Sequence, residues 1–158
     1  IYNEGEIQMN KGNCYEANFN EMIQNADTYK GDEWRLVHAL REHFPGSEWW
    51  GGHAFLLNTD ENLVFDFSNG AQMKNNGKEL VVDKDKIYKQ WNIQEDGLFM
   101  YFEYTFQDAV KFAYELEHYG SWELVFEDWK NPAWIDYMKD YFIPTHEPKR
   151  HALEQLSK

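Results

Sequence analysis

Three side chains suited to nucleophilic chemistry stand in the first half of the chain: Cys14 in GNCYEANF, His53 in GGHAFLLN and Asp66 in NLVFDFSNG. A thiol attacks as its thiolate. A neighbouring imidazole can take the thiol proton and hold the pair as ions, and a carboxylate behind the imidazole sets its tautomer and orientation. Each residue alone has a plainer reading. Free cysteine is among the most buried residue types, a strand histidine is often just hydrogen-bonded, and an aspartate suits the end of a strand before a turn. Taken together, in the order nucleophile, base and orienter, they point to catalysis.

Two elements must bring these groups together. The run NCYEANFNEMIQNA, residues 13–26, places Tyr15, Phe19, Met22 and Ile23 at helical spacing, with Gly12 allowing the backbone to turn just before it. Cys14 then opens the helix, where the positive end of the dipole lowers a thiol pKa. HAFLLN and NLVFDF read as strands joined by the polar turn TDE. With Thr59 and Asp60 as the turn, Asn58 opposes Glu61, and counting up the ladder sets His53 opposite Asp66. Directly opposed residues project to the same face. A slip of one residue would part them.

The remaining chain supplies a scaffold. EWRLVHAL (33–40) alternates as a strand and runs into the turn-rich FPGSEWWGG; SNGAQMKNNGK reads as loop, ELVV as a short strand, KIYKQWNI as a short helix or irregular segment, and LFMYFEY (98–104) as a buried strand. Thr105 with Asp108 resembles a capping box opening a helix to about His118, with Phe106, Val110, Ala113 and Leu116 at helical spacing and a glycine cap in HYGSW. Asn131 and Pro132 start a last helix, lined by Trp134, Ile135, Met138 and Phe142 and ended by Pro144; the tail after Pro148 is polar and loosely held. No repeat, low-complexity segment or linker divides the 158 residues, so a single α+β domain is expected.

Composition narrows the classes. A net charge of −13, with the acids spread along the chain, leaves no basic stripe for phosphate, so neither nucleic acid nor anionic lipid is an expected partner. No apolar run approaches the length needed to span a bilayer, and no secretory leader is visible at the start. A single cysteine excludes an internal disulfide and Cys-rich zinc modules, and fits a reducing, cytoplasmic compartment. Cys14, His53 and Asp66 are all zinc-ligand types, but no fourth ligand stands near them. DKDKIYKQWNIQ (83–94) starts like a calcium loop yet lacks the glycine at its sixth position and the glutamate at its twelfth. No P-loop or dinucleotide fingerprint occurs. Neither metal nor cofactor is expected.

The ordered set GNCYEA, WRLVHAL, GGHAFLL and VFDFSNG resembles the papain-like and transglutaminase-like superfamily of Cys-His-Asp thiol enzymes, and most resembles its small bacterial and phage members. The resemblance covers roughly residues 8 to 70. It implies a papain-like fold in which the cysteine begins a helix packed on an antiparallel sheet, with the histidine and aspartate on neighbouring strands. It also implies acyl chemistry through a thioester on a peptide, a protein side chain or a small amide. Papain-like proteases carry a glutamine six residues before the cysteine that helps to bind the oxyanion, and Gln8 holds that position, with Asn10 and Asn13 as rival amides. The chain departs from those proteases in lacking a long second domain, in using Asp rather than Asn, and in having no tryptophan just after the cysteine.

Three further residues adjoin the site in the sequence. His38 either points into the cleft to bind substrate or is structural. Trp49 and Trp50, just ahead of Gly51 and Gly52, either wall a substrate cleft or divide between core and surface. A binding protein with an unused triad is the alternative to an enzyme, and the aromatic content of 18% suits a recognition surface.

Overall fold

The computed structural model describes residues 13–42 and 50–124. Helix α1 (Cys14–Gln24) and the short α2 (Ala26–Tyr29) lead into strands β1 (Trp34–Glu42), β2 (Trp50–Asn58) and β3 (Leu63–Asp66). Helix α3 (Asn69–Lys74), strand β4 (Leu80–Asp83), helix α4 (Lys84–Trp91), strand β5 (Tyr101–Tyr104) and helix α5 (Phe106–Leu116) follow. The strands form one antiparallel five-stranded sheet in the order β4-β3-β2-β1-β5. The architecture is therefore α+β, as the sequence predicts.

The chain runs β1 to β4 as neighbours, and β5 then returns to the free edge of β1. That makes β1 and β2 the centre, which explains why RLVHAL and HAFLL are almost wholly buried. Alternation splits the core into two layers. Leu36, Leu40 and Leu56 pack under α1 and α5 with Met22, Tyr104, Ala109 and Trp122. Val37, Ala39, Phe55, Leu57 and Val64 pack on the opposite face against Ile87 and Tyr88 of α4. Two of the helices on this frame are capped by their own N-terminal side chains. The hydroxyl of Thr105 accepts from the Asp108 N–H at 3.2 Å at the start of α5, and the Asp83 carboxylate accepts from the Lys86 N–H at 3.0 Å at the start of α4.

Several expectations are corrected. SNGAQMKNNGK is not all loop: Ser68 caps α3, accepting from the Ala71 N–H at 3.3 Å, which offsets the weak helix propensity of Asn69 and Gly70. The strand expected over 98–104 begins only at Tyr101, because Phe99 adopts a left-handed φ of 57° in the turn before it. The left-handed residue closing α5 is Glu117 rather than a glycine. Val110 is 39% exposed, and Ala109 takes the buried position. In α1 the buried stripe is Cys14, Asn18 and Met22, one residue round from the apolar face expected. Gln8, Trp49 and the helix expected after Asn131 lie outside the described residues, as does the tail.

Candidate active site

The hairpin carrying His53 and Asp66 differs from its expected register in an instructive way. The turn takes four residues, Thr59 to Asn62, instead of a two-residue reversal. Asn58 closes it by accepting from the Glu61 N–H at 2.9 Å, and Asn62 sits at a left-handed φ of 57°, which asparagine tolerates. Asn58 consequently pairs with Leu63, Leu57 with Val64 and Leu56 with Phe65. The pairing has moved by two residues, so His53 and Asp66 are diagonal neighbours rather than directly opposed. A shift of two preserves the face, because side chains alternate with a period of two. Diagonal neighbours are about 7–8 Å apart at the backbone, within reach of a long side chain. The imidazole closes that gap: His53 Nε2 lies 2.6 Å from Asp66 Oδ2.

Asp66 is held as an anion. Burial alone would raise its pKa. The hydrogen bond and charge of His53 outweigh that, helped by donors from Ser68 and Asn18, and keep the carboxyl well below the usual carboxylate range. Its Oδ1 accepts from the Ser68 N–H at 2.9 Å and from Asn18 Nδ2 at 3.1 Å. An ionised carboxylate can only accept, so Nε2 of His53 must carry the proton between them. That leaves Nδ1 as the nitrogen available to the thiol.

Cys14 is the first residue of α1, and its side chain is 6% exposed. Burial pushes the thiol up. The hydrogen bond to His53, the charge on that ring and a contact with the backbone of Ala54 more than reverse this, and the thiol ends below its ordinary value. His53 moves the other way: burial and the nearby Arg41 charge push it down, while Asp66 and Cys14 prevail and raise it. A thiol lowered and an imidazole raised are the conditions for a thiolate–imidazolium pair.

The residue that joins the helix to the hairpin is Asn18, one turn after Cys14 and completely buried. Its amide donates to Cys14 O at 2.9 Å, to Ala54 O at 2.9 Å and to Asp66 Oδ1, while its Oδ1 accepts from the Phe67 N–H at 2.9 Å. One side chain thus ties the start of α1 to β2 beside His53 and to the end of β3. Apolar spacing on that helix does not mark Asn18. The available signal was its position four residues after the thiol. Asn13 is also committed: its Oδ1 accepts from the Asn69 N–H at 2.7 Å, linking the start of α1 to the start of α3.

The other expected site residues divide. His38 is 0% exposed, and its ring is enclosed by Tyr15, Tyr104 and Trp122 at centroid distances of 4.9, 5.0 and 4.8 Å. The substrate contact considered for it is therefore corrected to a structural role, since its face of β1 lies under α1 and α5. Trp50 begins β2 opposite Glu42. Two residues not singled out from the sequence adjoin His53 instead. The Trp91 ring lies 5.3 Å from the imidazole at an angle of 75°, and the Arg41 guanidinium sits over that same indole at 4.7 Å. Among the described residues no cluster of three His, Cys, Asp or Glu side chains is arranged to hold a metal ion, and no helix is long and apolar enough to cross a membrane.

Comparison with protein-family models, with curated proteins and with solved structures finds no match to this chain.

Proposed function

We propose that this protein is a thiol-dependent acyl enzyme of the papain-like or transglutaminase-like type, with Cys14 as nucleophile, His53 as general base and acid, and Asp66 as orienter. The observation that carries the reading is the 2.6 Å pairing of His53 Nε2 with Asp66 Oδ2, beside a thiol whose pKa that same ring lowers. Cys14 opens the helix beside that pair, and the buried amide of Asn18 ties the same helix to Asp66.

The chemistry follows from the protonation states. His53 takes the thiol proton at Nδ1, and Asp66 stabilises the imidazolium through Nε2–H. The thiolate attacks the carbonyl carbon of an amide. The backbone N–H of Cys14, in the first turn of α1 where no intrahelical acceptor exists, is suited to receive the oxyanion. Collapse breaks the C–N bond as His53 returns its proton to the departing nitrogen, leaving a thioester. Water then gives hydrolysis, and an amine gives transfer. Peptides, protein side chains and small amides all fit this scheme.

The test is the rate of Cys14 alkylation by iodoacetamide from pH 4 to 10. Wild type should react well below the free thiol pKa of about 8.5, and His53→Ala should return the profile toward it. A thiol that titrates normally in both proteins would overturn the reading. Cys14→Ala should remove all turnover while leaving the fold intact.

A further inference from the structure

Arg41 stands beside the triad with no hydrogen-bond or ion-pair partner among the described residues. In the β1–β2 ladder Ala39 pairs with His53 and Arg41 with Gly51, so Arg41 and His53 project from the same face, one diagonal step apart. Trp91, the last residue of α4, fixes both: it is 5.3 Å from the imidazole and 4.7 Å beneath the guanidinium. The guanidinium is half-buried, yet among the described residues it makes neither a hydrogen bond nor an ion pair. The nearest triad anion is already engaged, since the Asp66 oxygens serve His53, Asn18 and Ser68. A planar donor with five N–H groups, oriented on an indole and left open, matches a carboxylate.

Its side of the site says which part of the substrate would carry that carboxylate. The acyl carbon must sit over Cys14 at the start of α1, and the departing nitrogen must sit by His53, which protonates it. Arg41 projects from the same face of the sheet as His53, one diagonal step away on β1, within reach of a group carried by the departing nitrogen. We infer that Arg41 is a specificity-determining residue that selects amides whose departing amine carries a carboxylate, as the amino group of an amino acid or of a C-terminal residue does. This rests on the acyl-enzyme reading above and narrows it. The step balances: the thiolate forms the S–C bond, the C–N bond breaks, the nitrogen takes the imidazolium proton, and the amino acid leaves with its carboxylate on Arg41. Water then adds to the thioester carbon and gives a proton to Nδ1, and the C–S bond breaks to release the acid and restore the thiolate–imidazolium pair. The Arg41 charge also works against the triad, because it pushes His53 down. A bound carboxylate would cancel that field as the substrate arrives.

The experiment compares Cys14 alkylation by iodoacetate and by iodoacetamide, which differ in the carboxylate. Both rates are read on the high-pH plateau, where thiolate content no longer matters. The iodoacetate-to-iodoacetamide ratio should fall at least tenfold in Arg41→Gln, with iodoacetamide itself still reacting and so reporting an intact site. In wild type alone, millimolar N-acetylglycine should protect Cys14 and N-acetylglycinamide should not. An unchanged ratio, or equal protection by both compounds, with the thiol still activated toward iodoacetamide, would overturn the role of Arg41 and leave the thiol chemistry standing. A thiol activated toward neither reagent would overturn both.

Discussion

Asp66→Asn isolates what the third member of the triad does. The substitution keeps the size of the side chain, and its oxygen can still accept from Ser68 N–H and Asn18 Nδ2 on the Oδ1 side. The amide nitrogen then faces His53 Nε2 at the position where Oδ2 now lies 2.6 Å away. Two donors cannot face each other, so Nε2 must give up its proton and Nδ1 must carry it, which directs an N–H at the thiol in place of a lone pair. The imidazolium loses a short charge-assisted hydrogen bond, worth about 1.5–3 kcal/mol. At about 1.4 kcal/mol per tenfold, that reduces the thiolate–imidazolium population by roughly 10- to 150-fold. One effect opposes it: the Asp66 charge by itself disfavours the thiolate, but it ranks last among the influences on Cys14, behind the hydrogen bond to His53. The assay is iodoacetamide alkylation against pH, with the ring nitrogen shifts of His53 read by NMR. The reactive limb should move toward higher pH, and the neutral ring should carry its proton on Nδ1. A profile that superimposes on wild type, while His53→Ala shifts, would refute the reasoning and leave Asp66 as a structural residue only.

Two further outcomes concern stability. Asn18→Ala removes the bonds to Ala54 O, Asp66 Oδ1 and Phe67 N–H together and should cost about 2–4 kcal/mol in urea unfolding, since each orphaned buried group costs about 1–3 kcal/mol; a loss below about 1 kcal/mol would show that water replaces the amide. Asp66→Ala strands three buried donors and should cost about 3–5 kcal/mol near pH 5–6. Because Asp66 is depressed in the folded state, its contribution is present above the unfolded value of about 3.9 and fades as pH falls through the lower folded value. Because His53 is raised, its share is present below about 6.5 and fades as pH rises through the higher folded value. The gap between wild type and Asp66→Ala should thus be widest between about pH 4 and 6.5. A gap constant from pH 2 to 9 would contradict the linkage.

Residue type and periodicity determined a good deal of this protein. The helix opening at Cys14, the strands around His38, His53 and Asp66, and the cap at Thr105 all follow from local chemistry that needs no distant partner. So does the common face of His53 and Asp66, because a period of two survives any even shift of register. What tertiary structure decided was everything that depends on which elements become neighbours. The four-residue turn at Thr59–Asn62 made the His53–Asp66 contact diagonal. The return of β5 to the edge of β1 buried His38 among aromatic rings, turning a candidate ligand contact into core. Asn18 reads in sequence as a polar position on a helix and becomes the hub of the site only when α1 lies against β2 and β3. Arg41 and Trp91 are 50 positions apart and meet only because α4 packs on the sheet face that carries both Arg41 and His53. Local propensity sets which segments form. The burial of polar groups that must then find partners sets which side chains meet.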